Sequence, residues 1–136
     1  MSEEQRPGWG TEANAVQINQ EMAKRIYKVL DNIEEEPNPT NENAKMKIIF
    51  TKRDDNMEIT LFLGKTPKGQ EIPEHTHEVH DILLALKGKA KLWIQGLGDF
   101  ELRPGVVLDI PPKALHKLHD VEEDFEAYDI FSGAIF

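Results

Sequence analysis

The residues of this chain best suited to chemistry are its five histidines, and they fall in two short windows: His75, His77 and His80 in the first, His116 and His119 in the second. Imidazole is both a common metal ligand and a proton carrier near neutral pH, so clustering of this kind points to one of those tasks. In an extended chain successive side chains alternate between two faces. If the first window is extended, His75, His77 and Asp81 share one face while Glu78 and His80 share the other. In the second window His116 shares a face with Leu118 and Asp120, and His119 points the opposite way. Three imidazoles and a carboxylate converging from two strands suit Fe, Mn, Ni, Zn or Cu, with positions left over for water or substrate. A lone histidine at a strand end is more often a surface residue. Two at i and i+2, a carboxylate on the same face and a third in a later strand reverse that preference. With no cysteine in the chain, any metal must be held by His, Asp or Glu.

Strands are what must position these side chains. Beyond Asn43 the sequence breaks into short segments rich in β-branched and aromatic residues, expected as strands over 45–52, 57–65, 81–87, 90–95, 99–102, 106–110, 115–120 and 125–132. Gly, Pro or Asp pairs separate them, including Gly88, Gly96, Pro104-Gly105 and Pro111-Pro112. Many short strands at this spacing favour an all-β sandwich or small barrel of the jelly-roll type. Six acids crowd residues 120–129 and read as a solvated hairpin, since they lack the Gly-turned loop of a calcium cage.

The N-terminal third follows another period. Residues 1–11 are polar with Pro7, Gly8 and Gly10 and read as a loose arm. From 11 to 33 the apolar positions Ile18, Met22, Ile26, Val29 and Ile33 recur every three or four residues, which predicts one amphipathic helix packed on the rest of the fold or on a second subunit. Pro37 and Pro39 end it. The expected division is an arm and helix over 1–43 and a barrel over 44–136.

At this point the chain resembles the cupin superfamily, in particular its small single-domain members. The first family motif is met by Gly69, His75, His77, Asp81 and Gly88 with every interval in place. The second is met by Gly105, Pro111 and His116, with Lys113 where the family has a second Gly and Asp120 where it has Asn. The resemblance covers about residues 44–132 and implies a double-stranded β-helix barrel, usually a homodimer. It also implies a divalent transition metal held by His75, His77, Asp81 and His116. Asp81 is one methylene shorter than the usual Glu, so the metal sits nearer that strand, or is reached through water, or is bound weakly. Lys113 in place of Gly suggests a different backbone conformation at that turn.

Composition narrows the partners. With 16 Lys and Arg against 25 Asp and Glu the net charge is −9, and no basic run is present to bind nucleic acid or an anionic membrane. Neither an apolar leader nor a spanning segment is visible, so a soluble cytoplasmic protein is expected. The expected activity is that of a metalloenzyme acting on a small oxygen-rich molecule such as a sugar acid or a keto or hydroxy acid. The other reading is a non-catalytic metal- or ligand-binding sensor module. An interior lined only by apolar groups favours the sensor, and a polar group aimed at the open metal positions favours the enzyme.

Overall fold

The computed structural model describes residues 8–136; residues 1–7 of the expected polar arm lie outside them. The described residues form eight strands: β1 (Glu36–Asn38), β2 (Asn41–Phe50), β3 (Thr60–Thr66), β4 (Ile72–His75), β5 (Asp81–Ile94), β6 (Gly98–Leu102), β7 (Val107–Ile110) and β8 (His116–Phe131). They pair antiparallel in the order β1-β2-β3-β8-β5-β6, with β4 added to β8 and β7 to β5. Because β5 and β8 pair with each other and also carry different partners at their two ends, the sheet closes over an interior. This is the all-β jelly-roll barrel expected from the sequence.

Two long strands replace four expected short ones. The sequence break at Gly88 is not a turn but a bulge inside β5, and β8 likewise runs on through Asp120. The β5–β8 register shifts three times between Ala85 and Lys91. The burial pattern shows what the bulges accomplish: Asp81, Leu83 and Ala85 are buried on one side of Gly88, and Ala90, Leu92 and Ile94 on the other. The inward set changes from odd to even positions, as an extra residue in a two-residue period requires. In β8 the same switch separates His116 and Leu118 from Val121, Phe125 and Ala127. Gly88 is obligatory there, because its φ is 87° and a Cβ would lie 2.2 Å from the Asp124 carbonyl oxygen.

The expected helix over 11–33 is realised only as one turn of α-helix, α1 (Ala23–Ile26), with 3-10 turns at Glu12–Asn14, Gln20–Met22 and Leu30–Asn32. Between them the backbone is extended, at Ala15, Tyr27 and Val29 for example. The stripe finds no continuous wall: Val16, Ile18, Ile26 and Tyr27 stay mostly exposed. Without tertiary burial, a helix of this length gains too little from its own hydrogen bonds, and β-branched residues weaken it further. The segment is tied down instead by Lys28, whose Nζ meets Asp55 Oδ1 at 2.8 Å, and by Lys47, whose Nζ donates to the Leu30 carbonyl at 2.7 Å. Among the described residues no helix is long and apolar enough to cross a membrane.

Candidate metal centre and its cavity

The inward positions of the strands enclose a cavity of about 310 Å³. Its apolar wall includes Met46, Phe62, Leu83, Leu92, Phe125 and Phe131, and its polar groups gather at the histidine end. His75 closes β4, His116 opens β8, and the two are register partners across that pair. His77 lies in the loop that follows β4, so the first window is not one extended strand. That loop is fixed by the Lys113 backbone N–H, which donates to the His77 carbonyl at 2.7 Å. Lys113 has φ 65°. That is the left-handed region, which a glycine adopts freely and a side chain rarely does.

The three histidines converge: one ring nitrogen from each lies within 4.8 Å of the others. Their ring centroids are 4.2 Å apart for His75 and His116, 4.8 Å for His75 and His77, and 5.5 Å for His77 and His116. Two rings are held by backbone carbonyls two residues upstream. The Nδ1 of His75 bonds the Pro73 oxygen at 2.7 Å, and the Nδ1 of His116 bonds the Ala114 oxygen at 2.8 Å. A carbonyl can only accept, so each Nδ1 carries the proton and each Nε2 keeps its lone pair. This is the arrangement that orients a metal-binding imidazole. The Nε2 of His116 is buried without a hydrogen-bond partner. His77 packs edge-on against Phe131 with centroids 4.9 Å apart.

Burial, followed by the neighbouring His75 and His116, lowers the His77 pKa to about 4. His116 is lowered as well, first by burial. His75, His77 and His116 each bring one ring nitrogen to a common point, and a divalent cation would use all three at once. The donor set therefore fits a metal of the nitrogen-preferring first-row type.

Asp81 faces the same interior, as its position at the start of β5 requires, but its carboxylate lies outside the three-histidine group. Asp129 stands beside it, and the two carboxyl groups are within hydrogen-bonding reach. Burial raises the Asp81 pKa to about 6. Asp129 is raised well above the ordinary carboxylate range by burial and then by Asp81. One proton shared between them satisfies both groups without a buried pair of like charges. The Oδ1 of Asp81 is left without a partner.

Asp129 is the site group that the sequence reading missed. It stands in the acid-rich run taken for a solvated hairpin, and most of that run does face outward. Glu122, Glu126 and Asp120 pair with Lys89, Lys87 and Lys91 of β5 at 3.2, 3.6 and 3.5 Å. The signal was in the alternation Phe125, Ala127, Asp129, Phe131, all of which line the cavity. The remaining two histidines lie outside it: His80 Nδ1 meets Asp109 at 2.9 Å and His119 Nε2 meets Asp99 at 2.7 Å.

Comparison with known proteins agrees with this architecture. Residues 62–131 match the Cupin_2 family model, described as a cupin domain. The match spans just over half of the chain, which belongs to the cupin family. No functionally curated protein matches it in sequence. Among solved structures, a predicted oxalate decarboxylase from Thermotoga maritima is similar with TM-score 0.67 and 17% identity, covering 76% of this chain and 95% of that one. An RmlC-like cupin from Shewanella frigidimarina aligns with TM-score 0.68 and 20% identity over 80% of this chain and 91% of its own. Ectoine synthase from P. lautus aligns with TM-score 0.70 and 14% identity over 80% and 78%. At these identities the likeness establishes the fold.

Proposed function

We propose that this cupin is a metal-dependent enzyme acting on a small oxygen-bearing molecule. In this reading His75, His77 and His116 hold a divalent transition metal, and Asp81 is the fourth ligand through its unpartnered Oδ1. The observation that carries the proposal is the convergence of three imidazole nitrogens within 4.8 Å, two of them with Nε2 freed by an Nδ1–carbonyl bond. A bound Fe, Mn, Ni, Zn or Cu ion supplies Lewis acidity to a substrate hydroxyl or carbonyl oxygen. The chain's own residues do the rest. The apolar wall excludes water, and Asp129 presents a carboxyl group to the same space, where it can carry a proton to or from the bound molecule.

A ligand-binding or sensor role is the second reading, favoured by the predominance of apolar groups in the wall. Asp129 is the feature that ranks the enzyme first, because a purely binding cavity has no need of a half-buried acid set in an apolar wall. As in many cupins, the unit in solution is proposed to be a homodimer, with the cytoplasm as its compartment.

The test is elemental analysis of protein purified without chelator or affinity tag, alongside His77→Ala and Asp81→Ala. A stoichiometric metal that is lost in the His77 variant supports the centre, and loss in the Asp81 variant assigns the fourth ligand. A natural-sequence protein with no metal at any occupancy removes the proposal.

A further inference from the structure

Two of the three converging rings are oriented by a backbone carbonyl, and the third is not. His75 and His116 each have Nδ1 on a carbonyl oxygen two residues upstream. Among the described residues His77 has no such partner for its ring, so its direction is set by its backbone and by what it packs against. The packing partner is Phe131, at a centroid distance of 4.9 Å. The backbone of His77 belongs to the loop 76–80, which joins β4 to β5. A metal-binding imidazole works only when it is held in one orientation, so whatever holds this loop also decides where the His77 nitrogens lie.

The loop is held from outside at both ends. Lys113 secures its first half through the His77 carbonyl. Its second half is secured by Ser132, which follows Phe131 directly after β8. The attachment is reciprocal: the Ser132 N–H donates to the His80 carbonyl at 3.0 Å, and the His80 N–H donates to Ser132 Oγ at 3.0 Å. Only the backbone of His80 takes part, since its ring is turned to Asp109. The next residue, Gly133, lies so close to the loop that a Cβ there would stand 2.7 Å from Val79 Cγ1. A β-branched valine has little rotamer freedom with which to yield, so a side chain at position 133 would push the loop itself. Behind this segment stands Thr60, the fully buried first residue of β3 and the register partner of Phe131. Its hydroxyl donates to the Gly133 carbonyl at 2.9 Å and accepts from the Ile135 N–H at 3.3 Å. One buried hydroxyl thus spends its donor and an acceptor lone pair on the same short stretch.

We propose that the consecutive residues Phe131, Ser132 and Gly133, fastened by Thr60, position His77. Phe131 packs the ring, and Ser132 and Gly133 fix the backbone that carries it. Together they do for His77 what a carbonyl does for each of the other two rings. Ser132, Gly133 and Thr60 are positioning residues that act through the loop. This rests on the reading of His77 as a metal ligand.

Ser132→Ala is the leading variant, because Ser132 is exposed and its hydroxyl is removed without touching the core. Cobalt is titrated into chelator-treated protein, and the absorption of the bound ion reports its coordination. Ser132→Ala is expected to weaken cobalt binding about tenfold, as loss of an outer partner of a ligand does, and to change the absorption at saturation. Ser132→Thr, which returns a hydroxyl, is expected to restore both. Thr60→Val, of the same shape without the hydroxyl, is expected to repeat the Ser132→Ala effect, and should it fail to fold the two Ser132 variants decide. A second measurement needs no metal: carbon-13 relaxation of the histidine rings in metal-free protein. Ser132→Ala is expected to loosen the His77 ring and leave those of His75 and His116, held by their own carbonyls, as they were. Equal loosening of all three rings, or a Ser132→Thr variant no better than Ser132→Ala, overturns the inference. Natural-sequence protein that binds no cobalt, with His77 alone loosened in Ser132→Ala, refutes the metal reading and keeps the positioning. Cobalt bound equally tightly by natural-sequence protein and Ser132→Ala, with identical His77 relaxation, refutes the positioning and keeps the metal reading.

Discussion

The inner and outer histidines come from the same two windows and differ in whether they face the cavity. His80 and His119 each find a carboxylate at hydrogen-bonding distance outside the cavity, His80 in the open and His119 partly covered. His75, His77 and His116 find one another. The outer pairs are ordinary surface electrostatics, of little energetic value. Of the inner three, His77 and His116 are desolvated, and all three turn a ring nitrogen toward one point. The lesson is that neither the number of histidines nor their spacing marks a functional cluster; what counts is which of them the two-residue period turns toward an enclosed space.

The sharpest way to break this comparison is to remove one member of each set. His77→Ala is expected to lower metal affinity by more than about 100-fold, since losing even an outer partner of a ligand costs roughly 10–100-fold. His80→Ala is expected to leave it within about twofold, and titration of chelator-treated protein with zinc or nickel measures both. An equal loss in the two variants would sink the distinction.

A second effect concerns the paired acids. Asp129→Asn keeps the size and offers an amide donor to Asp81 while removing the carboxyl group whose pKa is held well above the ordinary range. It is expected to stabilise the metal-free protein at neutral pH by about 1–3 kcal/mol, as read from urea denaturation. A destabilised variant would mean that the carboxyl pair is held by contacts other than a shared proton.

The two kinds of buried group also act over different pH windows. His77 has a folded pKa near 4 against 6.5 for the free side chain. The unfolded chain therefore binds more protons between those values, and stability falls as pH drops from about 6.5 to about 4 and levels off below. For Asp81, raised to about 6 from 3.8, the contribution is fully present below the unfolded value and is lost as pH rises through about 6. Denaturation across this range is expected to show the histidine slope in isolation once both acids are replaced by Asn. A flat profile in that double variant would contradict the burial argument for His77.

The smallest effect belongs to the outer set. Asp109→Asn removes the partner of His80, and the change in stability is expected to stay below about 1 kcal/mol and to shrink with added salt.

Much of this was legible beforehand because strand parity is a local property. The inward placement of His75, His77, Asp81 and His116 follows from the motif intervals even though residues 76–80 form a loop. Bulges were not legible. Gly88 looks the same in a sequence whether it turns the chain or inserts one residue into a continuing strand, and only its approach to the Asp124 carbonyl decides. Asp129 was hidden for a related reason, since its acid neighbours Glu122, Glu123, Asp124 and Glu126 suggest solvent. Counting by twos back from Phe131 would have isolated it. The N-terminal stripe misled in the opposite direction, because periodicity records a capacity to form a helix and not the presence of a wall to pack it on.

The amide of Lys113 and the carbonyl of His77 join the loops from which the two histidine windows are hung. An unfolded chain, with nearly forty residues between His77 and His116, has no half-built version of this junction to offer an ion. Under the metal reading, occupancy and the native state are thus one equilibrium seen from two sides. A coloured ion such as cobalt would then serve as a gauge of how many molecules in a sample are correctly assembled.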